Sequence, residues 1–261
     1  MSIPLLELNG DIIAFILHTM PIDMSVSIPL MLFEDDIISK ILGIMETVDI
    51  ITFSFCSKFT KQFVKTTIPF VSRGLYTHIK QDVGGLQMDI ATRSEDLTMQ
   101  LGHNVLSPDN GVELSIKLKD TTGILVKIRK PKYSYKDYID HLMEITRLKS
   151  ISTFRIANNE ITIESLSKCV SSWQLFCLGI INTDIFQDLR DVPRLFTNTL
   201  NILLQGTLIP KACIEHTLLS NFDYVYLTQD VNTDTILASC ARQISIKNSL
   251  LSQKDLKGGV R

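Results

Sequence analysis

The chain has 261 residues, enough for one large domain or a small domain beside a medium one. Apolar residues at 45% and charged residues at 21% exclude a disordered chain. Twenty-six basic against twenty-eight acidic residues exclude a bulk electrostatic pull toward nucleic acid or anionic membrane.

The five cysteines (Cys56, Cys169, Cys177, Cys213, Cys240) are odd in number, scattered and without a CxxC pair. Reduced, buried thiols in an intracellular protein are therefore expected rather than a disulfide framework. No apolar run approaches the ~18 residues of a membrane span. The N-terminus lacks a basic region, and Glu7 and Asp11 interrupt its apolar stretch, so no signal peptide is expected. A soluble protein of the cytoplasm or nucleus is the expectation.

The first feature along the chain is a duplication. "IPLLELNGDIIAFILHTM" (3–20) and "IPLMLFEDDIISKILGIM" (28–45) align without gaps at an offset of 25 residues, and nine of eighteen positions are identical, including Pro4/Pro29, Asp11/Asp36 and Met20/Met45. The first copy runs straight into the second through Pro21-Ile22-Asp23 and lacks the segment that follows the second. It is expected to pack as an extra helix or to compete weakly for the groove that the second copy would occupy, with a gene-model or recombination accident as the alternative.

In the second copy, Glu34, Asp35 and Asp36 precede Ile37, Ile38, Ile41, Leu42 and Met45. Acids in the first turn complement the positive end of a helix dipole, and the apolar spacing makes one broad stripe. Pro29 keeps "IPLML" extended ahead of that helix. Downstream, "TVDIITFSFCSKFTKQFVKTT" (47–67) reads as a second helical pattern with Ile50, Phe53, Cys56, Phe63 and Val64 inward and Lys58, Lys61 and Lys65 toward its C-terminal end.

These residues carry a resemblance. Ile28-Pro29-Leu30-Met31, then Ile41-Leu42 and Met45, then "FSFCSKFTKQFVK" (53–65) are similar to an F-box, of the type found in the large nematode F-box family. The resemblance covers about forty residues. The family usually carries Leu-Pro where this chain has Phe33-Glu34. The resemblance implies docking of these helices to a Skp-type adaptor, and through it to a cullin ubiquitin ligase, with Pro29, Leu30, Leu32, Phe33, Ile37, Ile38, Ile41 and Leu42 as the adaptor-binding set. The physical reading agrees: an apolar stripe too large for a forty-residue domain to bury alone becomes a partner's surface. The alternative is that Ile37, Ile38, Ile41 and Leu42 pack on the C-terminal domain.

Beyond Gly84 the pattern alternates. "VELSIKL" (112–118) places Val112, Leu114, Ile116 and Leu118 on one face, and "ILVKI" does the same with Ile124, Val126 and Ile128. With "KDTTG" between them, a half-exposed antiparallel hairpin is expected. Weaker strands are expected near 88–90 and 97–101. Ser134 with Asp137 three residues on predicts a capped helix whose buried seam is Tyr138, Leu142 and Ile145.

Short alternating runs then recur as "STFRIAN", "WQLFCLG", "TLNILLQ", "DYVYLTQ" and "RQISIKN". With Phe154, Leu175, Leu200, Val225 and Ile244 as register marks, the steps are 21, 25, 25 and 19 residues. Between them lie "TIESLSKCV", "DIFQDLR", "PKACIEHTLL" and "NTDTILASC", with Pro210 where a first helical turn begins. This predicts an irregular leucine-rich-repeat-like solenoid, with an ordinary α/β layer as the alternative. The final stretch, "ILASCARQISIKNSLLSQKDL", resembles the end of the type 2 F-box-associated domain of the same nematode family through Leu237, Cys240, Ile244, Ile246, Ser249, Leu251, Asp255 and Leu256. That family continues into an apolar helix ending in Trp, whereas this chain ends in "KGGVR", which is expected to be a truncation that leaves the last strand poorly capped.

No phosphate-binding loop and no HxxxH or HExxH spacing appears; His18, His78, His103, His141 and His216 read as surface or internally satisfied residues. "RKPKYSYKDY" (129–138) mixes basic and aromatic residues but reads as a solvated helix start. Trp173 is expected in the core. The predicted fold class is α+β: a small N-terminal helical F-box followed by an irregular leucine-rich-repeat-like α/β domain. The boundaries are 1–25 for the partial duplicate, 26–67 for the F-box and 75–261 for the second domain. The function this implies is a non-catalytic substrate receptor of a Skp–cullin–F-box ubiquitin ligase. It would need no cofactor and no metal, and would bind an unidentified protein target rather than nucleic acid or membrane. The alternatives are a ligase-independent, repeat-type interaction module or degenerate F-box paralogue, and an enzyme.

Overall fold

The computed structural model describes residues 3–4, 27–28, 35–67, 77–82, 85–91, 96–103, 112–119, 123–157, 161–181, 191–206, 209–229 and 231–247. The chain divides into two compact units: residues 1–73 with 92–95 and 141–147, and residues 74–91 with 96–140 and 148–261.

In the first unit two short strands, β1 (Ile3–Pro4) and β2 (Ser27–Ile28), pair antiparallel, with Ile3 opposite Ile28. One pair of equivalent positions of the duplicated sequence thus face each other, and the second copy begins extended, as Pro29 requires. The rest of the first copy, including its expected helix, lies outside the described residues. Three helices follow: α1 (Asp35–Ile44), α2 (Thr47–Ser54) and α3 (Lys58–Thr67).

The single helical pattern expected over 47–67 is two helices. The break has a local cause in "SKFT". Ser57 N–H donates to Thr60 Oγ1 at 2.9 Å, and Thr60 N–H donates back to Ser57 Oγ at 3.0 Å. This reciprocal cap starts a new helix instead of continuing the old one. It also places Lys58 in a first turn rather than near a C-terminus, and it leaves Cys56 half-buried in the connection.

The second unit is one ten-stranded sheet in the order β12-β11-β10-β9-β8-β3-β4-β5-β6-β7. β3 (Thr77–Asp82), β4 (Gly85–Ala91), β5 (Asp96–His103), β6 (Val112–Leu118) and β7 (Val126–Arg129) form an antiparallel meander. The expected hairpin is present, with Leu114 opposite Ile128 and Ile116 opposite Val126, although β7 starts at Val126 and leaves Ile124 exposed. Both weaker strands exist and are longer than expected. β3 had no sequence assignment. At one end of the meander Gly85 faces Gly102, and a Cβ on Gly85 would stand 1.9 Å from the Leu101 carbonyl oxygen, so this close approach requires glycine.

The other half of the sheet is parallel: β8 (Ser150–Ile156), β9 (Gln174–Ile181), β10 (Thr199–Gln205), β11 (Tyr224–Leu227) and β12 (Gln243–Ile246), with β8 also parallel to β3. Helices α5 (Ile163–Val170), α6 (Val192–Leu195), α7 (Lys211–Leu218) and α8 (Thr233–Leu237) connect these strands in turn. Pro210 stands one position before α7, at its N-cap. "DIFQDLR" lies outside the described residues. The strand positions that pair across the array are Phe154, Leu178, Ile202, Val225 and Ile244, separated by 24, 24, 23 and 19 residues. Leu175 and Leu200 are therefore not the register marks; Leu175 stands opposite Ile151 and Thr199. Phe154, Leu178, Ile202 and Val225 are buried, whereas every residue of β12 is half-buried or exposed, as an edge strand allows.

The meander and the parallel array are joined by α4 (Tyr135–Thr146). Its start is the predicted cap: Ser134 N–H donates to Asp137 Oδ2 at 2.8 Å and Asp137 N–H to Ser134 Oγ at 3.3 Å. Tyr138, Leu142 and Ile145 are all fully buried. The Ser134 hydroxyl bond, ahead of its backbone bond and the Lys136 charge, holds the Asp137 carboxyl below the ordinary carboxylate range. A depressed folded-state value means this cap stabilises above the unfolded carboxyl pKa near ~4 and is lost as pH falls through the lower folded value. Ser134→Ala is expected to cost about 1 kcal/mol at neutral pH, read from urea denaturation midpoints, and progressively less as pH falls below the unfolded carboxyl pKa.

Candidate functional site

The helical unit is held by an apolar interior and a ring of polar closures. Ile38, Ile41, Leu42, Val48, Ile51, Phe53, Phe55 and Val64 are buried. Ser54 donates its hydroxyl proton to the Ile51 carbonyl at 2.6 Å, so its oxygen accepts from Nε2 of His141 at 2.8 Å. The His141 ring stacks on Phe55 with centroids 3.7 Å apart. A Ser–His pair invites a nucleophile reading, but Ser54 is fully buried and its proton is committed to the backbone, so the pair is a packing element.

Around α3, Glu144 takes Lys61 at 3.2 Å and Lys65 at 3.5 Å. Arg147 donates from Nε to the Lys65 carbonyl at 2.8 Å and from Nη2 to the Thr66 carbonyl at 3.1 Å. A cation on the last carbonyls of a helix is the favourable end of the dipole. Arg147 has φ of 55°, a conformation that normally selects glycine, and these bonds offset its cost. His141, Glu144 and Arg147 stand between 79 and 87 residues from their partners in the helices, and no local spacing announces them.

Of the expected adaptor-binding set, Pro29, Leu30, Leu32 and Phe33 lie outside the described residues. Ile37 is half-buried. Ile38, Ile41 and Leu42 are at most 1% exposed, so the stripe expected to face a partner faces the chain's own interior. The reason is geometric: α1 is short, and its apolar positions close on the interior of a helical unit that has no other core. Among the described residues of this unit, the large apolar side chains left outside are Ile44, at the end of α1 and 44% exposed, and Phe59, in the first turn of α3 and 54% exposed. Phe59 stacks along Phe63 with ring centroids 6.0 Å apart, which fixes the ring in an outward position.

This arrangement coincides with a known module. Residues 32–72 match the F-box domain. No curated protein and no solved structure matches the chain. The F-box therefore covers all three helices, from just before α1 to just past α3, and it points to a ubiquitin-ligase adaptor role. Ile44 and Phe59 are its exposed apolar positions among the described residues.

The remaining sequence candidates fall elsewhere. In "RKPKYSYKDY", Tyr138 is fully buried, its hydroxyl donates to the Ile128 carbonyl and accepts from Lys130 N–H, and Tyr133 packs edge-on against it. The aromatics of this stretch are thus committed to the sheet unit. Trp173 is half-buried rather than core, with Nε1 donating to Asp140 at 2.6 Å beside the Lys136–Asp140 ion pair. Cys169 and Cys213 are buried, and burial pushes the Cys169 thiol up to about 11; Cys240 is exposed, against the expectation for all five. Among the described residues no group of three His, Cys, Asp or Glu could hold a metal ion, and no helix is long and apolar enough to cross a membrane. An open cleft of about 470 Å³ is lined by Thr162, Ile163, Glu164, Asp191, Arg194 and Leu195. Its shifted acid, Glu164, is held low by the Lys168 ammonium, which is a surface ion pair rather than a carboxyl kept protonated for catalysis.

Proposed function

We propose that this protein is the substrate-receptor subunit of a Skp–cullin–F-box ubiquitin ligase, of the nematode type with an F-box-associated C-terminal domain. The F-box docks the Skp-type adaptor and, through it, a cullin. The sheet unit, a leucine-rich-repeat-like array, holds a protein target. The observation that carries this reading is the F-box match over three helices that present Ile44 and Phe59. The mechanism is geometric and needs no cofactor: holding a target beside a ubiquitin-loaded conjugating enzyme raises the effective concentration of its lysines. The parallel strands, spaced 24, 24, 23 and 19 residues apart with a helix between each pair, support the repeat reading. The site of action is the cytoplasm or nucleus.

The test is calorimetric titration of the full chain with a Skp-type adaptor. Binding at micromolar affinity or tighter is expected, lost in Phe59→Asp while the melting curve is kept. A folded chain that gives no heat overturns the reading. A second reading, a ligase-independent interaction module, is favoured by the burial of Ile38, Ile41 and Leu42, which makes the helical unit self-sufficient. That outcome of the titration would select it.

A further inference from the structure

The two faces of the sheet differ. On the central strands one row of side chains is buried, as with Ile79, Phe154, Ile156, Leu178, Ile202 and Val225. In the alternate row Lys80, Arg155, Leu203, Tyr224 and Tyr226 are half-buried or exposed. The registers place Lys80 of β3 opposite Arg155 of β8, Arg155 opposite Gly179 of β9, Gly179 opposite Leu203 of β10, and Leu203 opposite Tyr226 of β11. The neighbouring row runs His78, Thr153, Cys177, Asn201, Tyr224.

Lys80 and Arg155 are both exposed, and like charges directly opposite on one face of a sheet repel. Neither has a carboxylate within 4.0 Å among the described residues. Two acids on this face of the sheet are already engaged: Asp89 accepts from Gln87 at 2.9 Å and Thr98 at 2.8 Å, and Glu113 pairs with Lys127 at 3.2 Å. Gly179 lets the arginine stem lie down on the sheet, since a Cβ there would stand 3.2 Å from Arg155 Cγ and 3.8 Å from Leu203 Cδ2. Leu203, Tyr224 and Tyr226 are half-exposed beyond that stem. Burial, and then the Arg155 charge, push His78 toward its neutral form, with Asp89 opposing and Lys119 adding to the shift.

We propose that this face binds an acidic peptide segment, with a carboxylate over the Lys80–Arg155 pair and an adjacent aliphatic or aromatic side chain against Leu203, Tyr224 and Tyr226. A partner carboxylate turns the cross-strand repulsion into two charge-assisted bonds. Tyrosines supply large contact area at low entropic cost. A peptide is favoured over nucleic acid because Asp89 and Glu113 share the face and the chain carries a net charge of −2. The proposal rests on the receptor reading and names the chemistry of its target. Its test does not use the adaptor, so each reading fails on its own.

The experiment pans a random peptide display library on the full chain, then measures enriched synthetic peptides by fluorescence anisotropy. Acidic residues beside Leu, Phe or Tyr are expected in the enriched pool. The double variant Lys80→Gln/Arg155→Gln is expected to weaken binding about tenfold or more. A control that removes two helix lysines, Lys168→Gln/Lys211→Gln, is expected to leave it unchanged. The double variant is also expected to melt no lower than the parent, because a repulsion has been removed, and this separates lost binding from unfolding. Enrichment without acids, no enrichment, or equal loss in both variants would overturn the proposal. So would a single-stranded oligonucleotide bound more tightly than any selected peptide with the same dependence on Lys80 and Arg155.

Discussion

Ile41→Asp is expected to unfold the helical unit rather than to strip a docking surface from an intact one. Ile41 is 1% exposed, between the equally buried Ile38 and Leu42. Removing such a side chain costs about 2–5 kcal/mol, and a carboxylate left there without a partner adds several more. Stability near ~0.1 kcal/mol per residue cannot absorb that in a unit of this size. Circular dichroism at the helical minimum and amide resonance dispersion check it. A variant that kept the parent's melting curve would show that α1 does not pack as described. Phe59→Asp, at an exposed position, is expected to change stability by less than about 1 kcal/mol, which is why it rather than Ile41→Asp reports on adaptor docking.

Phe154→Ala is expected to have a comparable effect on the sheet unit. Phe154 is fully buried on β8, the strand that joins the two halves of the sheet through Ile79 on one side and Leu178 on the other, with the Phe196 ring 6.1 Å away. The loss should be about 3–5 kcal/mol, from transfer of the ring and from the cavity left behind. Urea denaturation followed by the fluorescence of Trp173, the chain's single tryptophan, reads this unit directly. Phe176→Ala, 57% exposed two residues before Leu178, should stay within about 0.5 kcal/mol and serves as the control. Equal midpoints for the two variants would contradict the assigned core.

Much of the local structure was legible because its signals are short-range. The Ser134/Asp137 cap, the β6–β7 hairpin, the extended start of the second copy and the alternation of strands and helices beyond residue 148 all follow from spacing and turn chemistry. Other features were not legible. β3 carries one apolar core residue, Ile79, and fills the same buried row with Thr77 and Gln81, so no hydrophobic alternation marks it. The helix break at Phe55–Ser57 is hidden in the sequence because the apolar period continues through it, while the cap that causes it is a Ser–Thr pair whose Thr60 is buried on the same face as Phe63 and Val64. The register marks at Leu175 and Leu200 were displaced because apolar residues occur at several positions of each strand, and periodicity says nothing about which ones stand opposite.

The candidate site divides in the same way. The F-box was readable from about forty contiguous residues, since docking motifs are local sequence. Which of its apolar side chains remain outside was not readable: one stripe can serve as a core or as a surface, and only packing decides. The sequence by itself determined the capped start of α4, the β6–β7 hairpin and the strand–helix alternation beyond residue 148. The tertiary structure alone decided that Ile38, Ile41 and Leu42 are interior, that Ile44 and Phe59 are not, and that Lys80 stands opposite Arg155. Burial and cross-strand pairing depend on residues distant along the chain, and no local pattern encodes them.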